Sequence, residues 1–157
     1  MFRVLSRTAA GAALVATLCA LTAPTHGQGV KDKASFIVIV NAENSARDLP
    51  MADLARIYLG KKTLWDSGTR GRIHPAMLGE DQAVVREFIE KDIQRTVDQY
   101  RAYWKHMLFS GGGTAPRTFR TAAHVIEFVA SEPGAVGILA APPTDDRVKV
   151  IEVKGGR

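Results

Sequence analysis

The sequence predicts an α/β domain with a central, mostly parallel sheet flanked by helices, and three observations predict it. The runs 36–40 (FIVIV) and 135–140 (AVGILA) are short and apolar throughout, as strands covered on both faces are. Between them, apolar residues recur at helical spacing in several blocks. Proline and glycine stand at the block ends, so strand and helix signals alternate along the chain.

The first strand is 36–40. A polar loop, 41–49, leads to Pro50, a residue favoured at the first helical position because it has no N–H to satisfy. Met51, Leu54, Ile57 and Tyr58 then form one apolar face, and Gly60 takes the position just past the helix end. Residues 61–65 form a basic, aromatic link, and Asp66, Ser67 and Gly68 a turn. A second strand is expected over 72–78. Glu80 and Asp81 then precede a helix, where negative charge complements the N-terminal dipole. Its buried stripe is Val84, Val85, Phe88 and Ile89. Thr96 and Gln99 fit a capping box for a further helix that buries some of Tyr100, Tyr103, Trp104 and Met107. Residues 110–116, with three consecutive glycines, are a loop. Thr121 caps the next helix, whose face is Val125, Phe128 and Val129, and residues 131–134 stop it. After the strand at 135–140, the turn 142–146 leads into a last strand over 148–153.

The chain has 157 residues, enough for one domain. Its first stretch stands apart. Arg3 and Arg7 precede an alanine-rich apolar run from Ala9 to Ala23. That run is short for a membrane span of about 20 residues and suits the core of an export signal. Small Thr25 and Gly27 place cleavage after Gly27; cleavage after Ala23 and an uncleaved anchor are the competing readings. Cys19 follows bulky Leu18, where lipidation would want a small residue. The expected organisation is a signal peptide over 1–27, a flexible leader over 28–35 and a domain over 36–157. The domain would be exported to the periplasm, with no membrane span after signal removal.

Cys19 is the only cysteine, so the mature domain has no thiol chemistry and no thiolate metal site. The formal charge of +5 falls to +3 once Arg3 and Arg7 leave. That excess helps attract anionic solutes and is too small to argue for nucleic acid. No serine nucleophile elbow is present. His74, His106 and His124 are scattered, and His124 with Glu127 on one helix face lacks the third ligand a metal needs. The chain is read as a non-enzyme with no cofactor and no metal.

Three segments carry a family resemblance. The first is Val40 and Asn41 followed by LPMADLARIYLGKKTLW at 49–65; the second is LGEDQAVVREF at 78–88. The third is the series Trp104, Phe109, glycine-rich loop, Pro116 and Gly134-Ala135-Val136-Gly137. Together they resemble one lobe of the phosphate-type periplasmic solute-binding proteins of ABC transporters, with the type II periplasmic-binding fold. The resemblance implies a single lobe of that fold and capture of a small oxyanion, phosphate-like. It implies ligand contacts from Gln82, Ala83 and Arg86 at the start of the helix after Gly79. Ser110, Gly111, Gly112 and Thr114 are further candidates, because glycine-rich backbone can cradle an anion through its amides.

Two departures from the family bear on function. Gln82, Ala83, Val84 and Val85 stand where the family has hydroxyl donors, leaving backbone amides to receive an anion. The family's other lobe is absent, whereas ligand pockets enclose about 70–90 % of the ligand surface. A protein partner or a second copy would then close the cleft. The alternative reading is a periplasmic protein-interaction domain that kept the fold and lost ligand binding. Lys61, Lys62, Arg117 and Arg120 are candidates for a basic patch with Arg86. Trp104 reads as core, and Trp65 as a surface contact.

Overall fold

The computed structural model describes residues 36–66 and 71–155. The predicted signal peptide, the leader, Cys19, and Ser67 and Gly68 of the predicted turn lie outside the described residues.

Among the described residues, six strands form one mixed sheet. They are β1 (Ile37–Asn41), β2 (Asp48–Pro50), β3 (His74–Leu78), β4 (Arg117–Phe119), β5 (Ala135–Leu139) and β6 (Val148–Lys154), in the order β2-β6-β1-β5-β3-β4. The pairs β2/β6, β3/β5 and β3/β4 are parallel. Strand β1, near the centre, is antiparallel to both β5 and β6. Every residue of β5 is buried, which is why that strand shows no alternation in the sequence.

Helices cover both faces: α1 (Met51–Tyr58), α2 (Ala83–Glu87), α3 (Val97–Phe109) and α4 (Ala122–Ser131). Helix α4 lies over Ile39 and Gly137, with Val125 and Val129 seated where Gly137 has no side chain. On the other face, Phe88 meets Phe36 and Tyr58 edge-on, with ring centroids 5.1 Å apart in both pairs. Helix α2 is only five residues and continues as a π-helical turn over Phe88–Asp92. No helix among the described residues is long and apolar enough to cross a membrane.

The helix ends follow the sequence signals closely. Thr96 and Gln99 make the reciprocal capping box: Gln99 N–H donates to Thr96 Oγ1 at 3.2 Å, and Thr96 N–H to Gln99 Oε1 at 3.0 Å. The His124 amide donates to Thr121 Oγ1 at 3.4 Å. Gly60, at φ 68°, turns the chain after α1. Its amide donates to the Ile57 carbonyl at 2.9 Å, and that of Lys61 to the Arg56 carbonyl at 2.8 Å, the paired bonds of a Schellman cap. The remaining end carbonyls of α1 are met by α3. Tyr58 O accepts from Tyr100 Oη at 2.8 Å and from Trp104 Nε1 at 3.2 Å, and Leu59 O accepts from Tyr103 Oη at 2.6 Å. Trp104 is therefore core, as expected, and it ties two helices together.

Three features differ from the sequence reading. The stretch 41–49 contains the start of β2, an edge strand too short to show a period. β4 emerges from the segment between the glycine loop and Thr121. Pro50 ends β2 and stands outside α1 as its N-cap, so the helix starts at Met51, one residue later than expected.

Candidate functional site

The fold separates the predicted site residues into two groups. α2 follows the C-terminal end of β3, whereas the glycine loop enters the N-terminal end of β4, and the two strands are parallel. β3 has five residues, so at about 3.3 Å per residue its ends lie roughly 13 Å apart. Gln82, Ala83 and Arg86 thus sit at one end of the strand pair. Ser110, Gly111, Gly112 and Thr114 sit at the other, and one small oxyanion does not reach both.

At the α2 end the side chains are already engaged. Gln82 Nε2 donates to Asp81 Oδ2 at 3.1 Å, and Arg86 Nη2 to the Asp81 carbonyl at 3.0 Å. Glu80 pairs with Arg101. Two carboxylates, Glu80 and Asp81, stand at this positive helix tip, where an incoming anion would meet them. The amides of Gln82, Val85 and Arg86 bond to the carbonyls of Gly79 and Gln82 at 2.9–3.1 Å.

The glycine loop is partly a helix cap. Gly111, at φ 69°, turns the chain after α3. The Gly111 amide donates to Leu108 O at 3.2 Å and the Gly112 amide to Met107 O at 2.8 Å, a second Schellman pair. The Ser110 hydroxyl also donates to Met107 O, at 3.1 Å. Three of the predicted ligand contacts, Ser110, Gly111 and Gly112, thus spend donors on α3. The amides of Gly113 and Thr114 have no partner among the described residues.

Those residues border a cleft of about 630 Å³. It is also lined by Lys62, Arg72, His74 and Arg117, and by no carboxylate. Lys62 Nζ is held by Asp53, at 2.9 Å, and by Asp66. Burial opposes its charge, but the two carboxylates outweigh burial and hold the ammonium above the ordinary lysine range. Lys62 in turn holds the Asp53 carboxyl below its ordinary value. Arg117 rests its guanidinium over the Phe128 ring at 4.9 Å. The side chains of Arg72 and His74 are exposed and have no polar partner among the described residues. Neither reads as an anion contact in the sequence, because their place beside the glycine loop comes from strand pairing distant in the chain. Trp65 is half-buried and donates from Nε1 to the Gly134 carbonyl at 3.1 Å, so it packs the link down at least as much as it faces solvent.

Two further depressions among the described residues bear on the site. One, of about 780 Å³, is lined by Lys61, Gln94, Arg95, Tyr103 and His106 among others. The second is an apolar groove of about 490 Å³ between α3 and β4, lined by Met77, Tyr100, Trp104, Leu108 and Phe109. Phe109 is 85 % exposed on its rim. Arg120 and Arg86 line none of these, so the five predicted basic-patch residues do not form one patch.

No protein-family profile matches the chain, and no curated protein does. Solved structures do match. A putative phosphate ABC transporter substrate-binding protein with bound phosphate from Clostridium perfringens is 18 % identical, with a TM-score of 0.60 over 78 % of this chain and 46 % of its own. An ABC-type phosphate transport receptor from Vibrio cholerae is 17 % identical, with a TM-score of 0.60 over 76 % and 46 %. PstS from Borrelia burgdorferi is 14 % identical, with a TM-score of 0.59 over 78 % and 48 %. The chain spans about half the length of these structures. Its six-stranded sheet and flanking helices have the fold of one lobe of a phosphate-transporter substrate-binding protein.

Proposed function

We propose that this chain is an exported, single-lobe solute-binding module for a small, phosphate-like oxyanion. The anion would sit in the 630 Å³ cleft, against the Gly113 and Thr114 amides, Arg72 and His74. The observation that carries this reading is the composition of the lining: Arg72, His74, Arg117, Gly113 and Thr114 border the cleft, and no carboxylate does. Charge-assisted hydrogen bonds to an anion are about twice as strong as neutral ones. The α2 tip is the weaker seat, because Glu80 and Asp81 stand there and Arg86 is turned onto a backbone carbonyl.

A cleft with one wall binds weakly, with Kd on the order of millimolar. Tight capture would need a transporter surface or a second copy as the opposite wall. Export to the periplasm by residues 1–27 belongs to the same proposal. The alternative, an interaction domain, draws on the exposed Leu108 and Phe109; the likeness to solute-binding proteins weighs towards solute capture.

Calorimetric titration of the mature protein with phosphate and with sulfate tests the reading. Arg72→Ala and His74→Ala are each expected to weaken binding by about tenfold, and Arg86→Ala to leave it unchanged. Absence of heat with both anions at millimolar concentration would sink the proposal. Loss of binding in Arg86→Ala alone would move the site to α2.

A further inference from the structure

The depression lined by Lys61, Arg95 and His106 shares a wall with the oxyanion cleft. Lys61 faces the depression, while its neighbours Gly60 and Lys62 line the cleft. Like the cleft, the depression has no carboxylate among its lining residues. Lys61, Arg95 and His106 have no ion-pair partner among the described residues. Arg95 is held in place: its guanidinium lies 5.2 Å from the Tyr103 ring centroid, and its amide donates to the Ile89 carbonyl at 3.1 Å. The turn that presents it runs through Gln94 at φ 58°, a left-handed conformation uncommon for a residue with a side chain. Bases thus continue across the ridge at residues 60–62, from Arg72 and His74 to Lys61, Arg95 and His106, and the acids near that ridge, Asp53 and Asp66, are both taken by Lys62.

We propose that the two depressions are adjoining subsites for one extended oligo-anion of the linear phosphoanhydride class. A single oxyanion would occupy the first, and a chain of linked phosphates would cross the ridge into the second. This inference rests on reading the first cleft as an anion site. Linking two weakly bound groups makes the second contact intramolecular, so affinity rises steeply without any new enclosing wall. That removes the difficulty of the open, one-sided cleft.

The test is calorimetry at fixed ionic strength with orthophosphate, tripolyphosphate and long-chain polyphosphate. The proteins are the wild type, Lys61→Gln/Arg95→Gln, and Arg86→Gln/Arg120→Gln, the last removing the same charge at the far end of the β3/β4 pair. The wild type is expected to bind the longer anions at least about tenfold more tightly than orthophosphate. Lys61→Gln/Arg95→Gln should lose that gain and keep its orthophosphate affinity, while Arg86→Gln/Arg120→Gln keeps both. Orthophosphate binding with no gain on chain length overturns the second subsite and leaves the proposed function standing. An equal loss in both double variants also overturns it, since bulk charge would then account for the gain. Oligophosphate binding that needs Lys61 and Arg95 but survives Arg72→Ala with no orthophosphate binding would support the second subsite and remove the first.

Discussion

Asn41 is one of only two buried polar residues among those described, and all its hydrogen bonds are to backbone. Its Nδ2 donates to the carbonyls of Val129, at 3.0 Å, and Ala130, at 2.9 Å. Both lie in the last turn of α4, where no helical amide remains to meet them. Its Oδ1 accepts from the Glu43 amide at 2.9 Å. One side chain thereby closes a helix end, orders the turn after β1 and fixes α4 to the sheet. Asn41→Ala leaves these groups unpaired and is expected to cost about 2–4 kcal/mol of stability, since each orphaned buried group costs about 1–3. Asn41→Asp should be at least as harmful at neutral pH, because it sets a carboxylate against two carbonyls at the negative end of a helix. Urea unfolding of the three proteins checks both; an Asp variant more stable than the Ala variant would refute this account of the residue. In the sequence the asparagine reads only as the first residue of a polar loop and as part of the Val40-Asn41 resemblance. Its two helix partners, Val129 and Ala130, lie 88 and 89 residues away, and no local pattern carries that.

At the scale of elements, what was legible and what was not divides along the same line. Helix ends are local, so the Thr96 box, the Thr121 cap and Gly60 could be read directly. Gly111 carries the same signal, a glycine just past an apolar helical block, whereas in the sequence 110–116 reads as a loop with candidate ligand contacts and not as a helix cap. The structure gives Gly111 and Gly112 to the end of α3, which leaves Gly113 and Thr114 as the free part. Strand direction is not local. The run at 36–40 has the composition of a parallel strand, yet β1 is antiparallel to both neighbours, because burial on two faces produces that composition in either direction. Gly137 shows how an element's packing is written into one position. A Cβ there would lie 2.9 Å from Val125 Cγ1 and 3.1 Å from both Ile39 Cγ1 and Val129 Cγ2. Gly137→Ala is expected to destabilise by about 1–3 kcal/mol through overpacking. The double variant with Val125→Ala should lose less than the sum of the two single changes, because the shortened side chain opens the space. Additive losses in a double-mutant cycle would show that the close approach of α4 to β5 is not what excludes a side chain at Gly137.

For the whole molecule, two buried phenols join the helical layer to the sheet. Tyr58 Oη donates to the Ala76 carbonyl of β3 at 2.7 Å, and Tyr100 Oη donates to Tyr58 O at 2.8 Å. The chain of bonds therefore runs from α3 through α1 to the sheet, beneath the ridge that separates the two basic depressions. Burial raises both phenol pKa values above the ordinary range of about 10, since an oxyanion there would be cut off from water. Each phenol also sits against a carbonyl, which rewards the protonated form. The sign of the pH effect follows. Below the unfolded-state value both states hold the proton and the full stability is present. Above it the unfolded chain releases protons that the folded one retains, so stability falls as pH rises. Unfolding on titration from about pH 9 to about pH 12 should therefore coincide with the tyrosinate absorbance of two of the three tyrosines. Circular dichroism and absorbance recorded on the same sample check this. Both phenols ionising near their ordinary value while the circular dichroism stays native would mean that α1 and α3 open readily at this seam. The ridge over it would then be too mobile to hold the two depressions in a fixed relation.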